Sequence, residues 1–281
     1  MKLGDIPYDK AREVLSSAKG VEALRAEPIR ILVLVDPAAS RDLVTSLRDA
    51  LVPTTSHALV LVEKLDDGAI PRVGGDNDAA IIVAGGSDAL TVPAISAALS
   101  AGVPCCVVAE SSVDAPEAPL GGEDVGLVAA TSSEALIDKL GMWIVDNTKK
   151  DLAFAANFPF VRKPKVDKLI RTCAAENAAV GAVLIIPGAD MPVMTANQAK
   201  LALEIAAVYG KDLTPERLVE IAGVVGGGFA YRALARQLLG LIPGLGILLK
   251  AGVGYAGTIA TGTALRARFE IPEAIGGRGR A

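Results

Sequence analysis

Arg30–Leu51 reads RILVLVDPAASRDLVTSLRDAL, and its three parts decide the fold. Ile31–Val35 is a continuous apolar run rich in β-branched residues, as a strand buried on both faces requires. Asp36–Ser40 is a short polar loop, and Ser40 is a sensible N-cap for an amphipathic helix over 41–51. A buried strand, a tight loop and a helix make the junction at which many nucleotide-binding α/β proteins hold phosphate. Here the loop contains neither glycine nor lysine.

The same alternation continues downstream. After a helix expected over about 9–26, strands are expected at Ile31–Val35, Leu59–Val62, Ala79–Ala84, Cys105–Ala109 and Val125–Ala129. Helices are expected at about 40–51, 89–101 and 132–147. Apolar strands separated by helices specify a parallel sheet with helices on both faces. AIIVAGGSDALTVPAISAALSAGVPCCVV is one such unit, with Gly102-Val103-Pro104 closing the helix and opening the next strand. Ligands of such sheets bind beyond the carboxyl ends of the strands. The candidate rim is therefore Asp36–Ser40, Gly85–Asp88, Glu110–Asp114 and Thr131–Ser133.

A phosphate loop of the GxxxxGK[ST] type needs glycines to converge its amides, lysine for charge, and a hydroxyl for magnesium. In the equivalent window, Asp36–Leu43, Asp36 replaces the first glycine, Arg41-Asp42 replaces Gly-Lys, and Leu43 replaces the hydroxyl. Pro37 removes an amide. Asp36 and Asp42 oppose a polyphosphate at a cost on the order of several kcal/mol. A guanine-reading loop would follow the fourth strand, where the chain has Glu110-Ser111-Ser112-Val113-Asp114, and only Asp114 could read a base. Gly74–Asp78 lacks the spacing of a DxxG switch. The turn Gly85-Gly86-Ser87-Asp88 can present amides and a hydroxyl to an anion, but no base can be assigned to Ser87. Its alternative role is a strand-to-helix turn capped by Ser87 or Asp88. The candidate ligand-contacting residues are thus Ser40, Gly85, Gly86, Ser87, Asp88 and Asp114. No catalytic residue, cofactor or metal is expected.

Composition excludes several classes. The chain has 281 residues and a net charge of −4, with no basic block suited to nucleic acid. Aromatic residues are only 4%, too few for stacking platforms. Cys105, Cys106 and Cys173 have no CxxC spacing, and His57 is the single histidine, so a zinc site lacks donors. Neighbouring Cys105 and Cys106 on a strand point to opposite faces, and the expectation is buried, reduced thiols. The opening MKLGDIPYDKAREVL has no secretory h-region, so the expected location is the cytoplasm. Hydrophobic residues make up 51% without glycine, and mean hydropathy is +0.43. That exceeds a typical soluble domain, which is about 45–50% apolar with glycine included.

From about Asn147 the pattern becomes helical. Helices are expected near 148–156, over 165–185 after a linker at Phe158–Lys165, and over 195–209 after a break at Pro187–Pro192. Two more are expected at 214–238 and 242–269. Small residues recur every four positions in Ala174/Ala178/Ala182, Ala222/Gly226/Ala230 and Gly252/Ala256/Ala260/Ala264. Such stripes let helix backbones approach closely, which points to a protein partner or homo-oligomer. Residues 238–265 carry only Lys250 as a charge and are long enough to touch or enter a membrane. Association with the inner face of the cell membrane is the accompanying expectation, and an integral membrane anchor is the alternative.

The segment PGADMPVMTANQAKLALEIAAVYGKDLTPERLVEIAG, continuing to LIPGLGILLKAGVGYAGTIATGTALRARFE, resembles a bacterial helical domain of unknown function appended to Era-like GTP-binding proteins. The resemblance lies in Pro187 and Asp190, Thr195–Gln198, Ile205-Ala206, Tyr209-Gly210, Ile242-Pro243-Gly244 and Phe269-Glu270. LAFAANFPFVRKPKVDKLIRTCAAENAAVGAV looks like the usual connector. The resemblance implies a compact GTPase-like (Rossmann-like) α/β domain over 29–147, preceded by a helical segment at 1–28. A connector over 148–186 and a helical domain over 187–281 would follow. With the phosphate, magnesium and guanine signatures replaced, no catalytic residue carries over. The expected activity is that of a pseudo-GTPase working through partner or membrane contact, with a small-ligand or nucleotide-binding enzyme at the strand-end loops as the alternative.

Overall fold

The computed structural model describes residues 8–116, 125–183, 190–213 and 246–270. They divide into two compact units. One spans Ala23–Lys165, and the other comprises α1 as far as Glu22 together with the chain from Val166 onward. Helix α1 covers Tyr8–Arg25.

The first unit is a five-stranded, all-parallel sheet in the order β2-β1-β3-β4-β5. Its strands are β1 (Ile29–Val35), β2 (Ala58–Lys64), β3 (Ala79–Val83), β4 (Cys105–Ala109) and β5 (Val125–Ala129). Helices α2 (Arg41–Ala50), α3 (Asp88–Ser100), α4 (Ser133–Asn147) and α5 (Asp151–Asn157) accompany them. This order is one of the two common doubly wound arrangements. All five expected strands and the three helices expected with them are present, with ends shifted by no more than two residues.

Alternation along the strands builds two cores. Leu32, Leu34, Ala80, Ile82, Cys105 and Val107 pack with Ala94, Ile95 and Ala98 of α3. The intervening Ile31, Val33, Ile81, Val83, Cys106 and Val108 are also buried, as are Leu43, Leu47, Leu136, Leu140 and Ile144 on the helices. Cys105 and Cys106 do point to opposite faces, and burial pushes the Cys106 thiol up from its ordinary value. Gly102 closes α3 with a left-handed φ of 67°, and its neighbour Val103 donates to the Ala98 carbonyl at 3.0 Å. Among the described residues no helix follows β2. That edge strand keeps Leu59, Leu61 and Val62 exposed at 45%, 41% and 66%.

One expectation needs correction. The linker at Phe158–Lys165 is helical: α6 runs unbroken over Pro159–Val183. Pro159 stands at its first position, where a missing N–H costs nothing. Pro164 sits close enough to the start that only one carbonyl, that of Phe160, loses its regular partner. Gly141 of α4 makes room for that turn, since a Cβ there would lie 2.8 Å from the Phe160 carbonyl oxygen. The expected connector over 148–186 begins against the sheet unit. Phe154 and Phe158 are fully buried, α5 packs on α4, and the sheet unit extends to Lys165.

In the second unit, α6 from Val166, α7 (Asp190–Val208) and α8 (Gly246–Glu270) share a polar centre within apolar walls. Helix α7 starts earlier than expected, because Pro192 falls in its first turn, where proline is tolerated. Buried Asn177 donates through Nδ2 to Thr258 Oγ1 at 2.9 Å and accepts from Asn197 Nδ2 at 3.0 Å. Arg266 bonds Asp167 at 2.9 Å and Glu270 at 2.7 Å, and the Glu270 bond raises its pKa further. The small-residue stripe of the last helix is not what packs here. Gly252, Ala256, Ala260 and Ala264 are exposed or partly so, while Gly254, Thr258, Thr261, Gly262 and Leu265 are buried. The expected 214–238 helix, the Ala222/Gly226/Ala230 stripe and residues 238–245 lie outside the described residues.

The two glycines at the start of α8 therefore respond oppositely to substitution. Gly252→Ala meets open space and stabilises by about 0.5–1 kcal/mol through helix propensity. A Cβ at Gly254 would lie 2.8 Å from the Asn177 carbonyl oxygen, so Gly254→Ala destabilises by about 1–3 kcal/mol. Urea denaturation of both variants reads the difference.

Candidate functional site

The carboxyl ends of β1 and β3 meet where the chain order reverses, because β2 lies on one side of β1 and β3 on the other. That crevice is the default ligand position of an open parallel sheet. In this protein it is filled by the chain itself.

Asp36 directly follows β1 and is 1% exposed. Its amide donates to the Val83 carbonyl at 3.0 Å, which carries the β1–β3 ladder one residue further, and its carbonyl accepts from Ala39 N–H at 2.9 Å. The side chain then turns back. Oδ1 accepts from Ala38 N–H at 2.8 Å, an Asx-type turn. Oδ2 accepts from Gly85 N–H at 3.1 Å, across to the loop after β3. Two amides that an anion would occupy thus hold a carboxylate of the same chain. Burying a charge demands such bonds, and the two oxygens divide between the two loops.

Gly85 explains how tightly the loops close. A Cβ on it would stand 2.4 Å from Ala39 N and 2.5 Å from the Ala38 carbonyl carbon. The Ala38–Ala39 backbone therefore lies directly on Gly85, and the glycine serves that contact. Gly86 takes a left-handed φ of 91°, the turn into α3. Ser87 occupies the N-cap position of α3 but makes no side-chain capping bond. Its carbonyl accepts from Thr91 Oγ1 at 2.9 Å. Asp88 is the exposed first residue of that helix.

Ser40 is the N-cap of α2, accepting from Leu43 N–H at 3.2 Å. Its own hydroxyl donates to Glu110, just past β4. Ser46 of α2 donates to Ser133 Oγ at the start of α4 at 2.8 Å. Helix α2 is thereby bonded to the loop after β4 and to the start of α4. Asp114 stands apart from these contacts in a separate turn, where its N–H meets the Ser111 carbonyl at 3.1 Å. Of the sequence-level candidates, then, Gly85 is drawn to the β1–α2 loop that Ser40 ends, while Ser87, Asp88 and Asp114 make no shared cluster. Asp36 and Glu110 are the organising residues. Asp36 was legible as an anion-averse charge, but nothing in the sequence showed that it bonds the loop after β3.

Chemically, Ser40 divides its hydroxyl between a cap and a carboxylate, and no histidine supports it. His57 accepts from Ile29 N–H at the opposite edge of the sheet, roughly 20 Å away along a seven-residue strand. Among the described residues no group of three or more His, Cys, Asp or Glu is arranged to hold a metal ion. No protein-family model matches the chain, and no curated protein matches it either.

Removing the seated carboxylate takes the acceptor from two N–H groups, those of exposed Ala38 and half-buried Gly85. Asp36→Ala is expected to cost about 1–3 kcal/mol, most of it at the Gly85 amide. Gly85→Ala, which meets backbone instead of a movable side chain, is expected to cost at least about 2 kcal/mol. Asp36→Asn, which keeps an acceptor oxygen, falls between wild type and Asp36→Ala in urea denaturation.

Proposed function

We propose that the chain is a non-catalytic, pseudo-GTPase-like protein whose helical C-terminal module works by association with a protein partner or a membrane surface. The observation that carries this reading is the occupation of the strand-crossing crevice by Asp36. A polyphosphate there would have to displace a bonded carboxylate and then sit beside it and Asp42. Mutual repulsion at close range costs on the order of several kcal/mol. The Ala38–Ala39 backbone resting on Gly85 leaves no room for a bound anion between the loops.

For the helical module, support comes from the outward face of α8. Gly252, Ala256, Ala260 and Ala264 remain on the surface, although close packing inside the unit is already supplied by Gly254 and Gly262. A small-residue face left uncovered among the described residues favours contact with another helix. Among the described residues no helix is long and apolar enough to cross a membrane. This favours surface contact over a spanning anchor for the part of 238–265 that is described.

Thermal unfolding of the full chain with magnesium and millimolar GTP or ATP tests the reading. The melting temperature is expected to stay unchanged. Stabilisation of about 2–3 kcal/mol, as ligand at a hundredfold excess over its Kd produces, would overturn it and restore a nucleotide function.

A further inference from the structure

The loop that folds onto Gly85 leaves the opposite flank of β1 open. A groove of about 560 Å3 lies there, between the end of β1, the start of α2 and the end of β2. That volume falls within the range of small-molecule sites. It exists because the chain leaves β2 without a covering helix among the described residues, so Val62 stays 66% exposed.

Its lining carries two acids, Asp36 and Glu63, and two bases, Arg41 and Lys64. Register pairs Val62 with Val33 and Lys64 with Val35, whereas Glu63 pairs with Leu34 on the other face of the sheet. Val62 and Lys64 therefore lie on the groove face alongside Val35, while strand alternation sets the Glu63 side chain on the other face of the sheet. Asp36 also borders the groove, but its carboxylate is spent on the Ala38 and Gly85 amides. The charges left facing the opening are Arg41 and Lys64. Among the described residues Arg41 makes no ion pair or hydrogen bond that would neutralise it. Lys64 has only an exposed contact of 3.7 Å with Asp66, a kind of pair that contributes little. Beneath these two cations the floor is Val35, Val44 and Val62, with Thr45 supplying a hydroxyl at the rim.

We propose that this groove binds a small organic monoanion, with a carboxylate held by Arg41 and Lys64 and a short apolar body laid on the three valines. A single negative charge matches two cations on a rim that also includes the Asp36 loop; a polyphosphate would again meet Asp36 and Asp42. The proposal stands independently of the pseudo-GTPase reading, since the groove lies on the other side of β1 from the sealed crevice.

Titration of the isotope-labelled full chain with hexanoate, followed by amide NMR shifts, tests it, with hexanol and acetate as controls. Saturable shifts are expected at Arg41, Val44, Thr45 and Val62, with hexanoate binding at least fivefold more tightly than either control. Arg41→Gln and Lys64→Gln, both surface changes that leave the melting temperature unaltered, are each expected to weaken binding by about three- to tenfold. Equal binding of hexanol would show that charge is not read, and equal binding of acetate that the valine floor is not read. Either result, or hexanoate shifts that fail to saturate or map outside the groove, would overturn the proposal. A nucleotide-induced rise in melting temperature would contradict the pseudo-GTPase reading and leave this one standing.

Discussion

The buried carboxylate of Asp36 ties together two loops that leave neighbouring strands at the one place where the sheet reverses its chain order. A charge that is 1% exposed survives folding only because each oxygen receives an amide proton, from Ala38 and from Gly85. Those two bonds set the path of the β1–α2 loop. The path in turn places Ala38 and Ala39 on Gly85, brings Ser40 to the start of α2, and puts Arg41 on the flank away from β3. The closed crevice follows from one side chain, and the groove on the other flank from the uncovered edge strand β2.

The two units use polar groups inside apolar surroundings in a comparable way. In the sheet unit a carboxylate is satisfied by backbone amides. In the helical unit Asn177 meets Thr258 and Asn197, and Gly254 lets α8 reach the Asn177 backbone. Buried and fully bonded groups of this kind specify one arrangement among many that an Ala-, Val- and Leu-rich chain could adopt, because a slipped register would leave them unsatisfied. The high mean hydropathy is accounted for in the sheet unit by strands covered on both faces, with every residue of β3 and β4 buried.

Strand and helix positions in the first half were legible because each strand is a short β-branched run bounded by loops with clear punctuation. Ser40 and Gly102 announced a helix start and a helix end by their chemistry alone. Less legible were features that depend on what lies across space. Pro159 and Pro164 read as a linker, but an early position in α6 and the room left by Gly141 make them tolerable within it. The Gly252–Ala264 stripe read as a close-contact face, but nothing in its spacing showed that packing within the unit falls to the face two positions along, at Gly254, Thr258 and Gly262. Gly85 read as a possible anion ligand; its lack of a side chain serves the neighbouring loop. Spacing identifies which residues share a face, but it does not say which face meets another element.

Hydrogen exchange of the Ala38 and Gly85 amides in the unmodified protein tests the central claim most directly. Both protons sit in a loop or at a strand end, where exposed amides exchange at nearly the rate of an unfolded chain. If Asp36 holds them, both exchange as slowly as interior amides of β1 and β3, and they lose that protection together in Asp36→Ala. Rapid exchange of either amide in the wild-type chain would mean that the carboxylate does not occupy the seat.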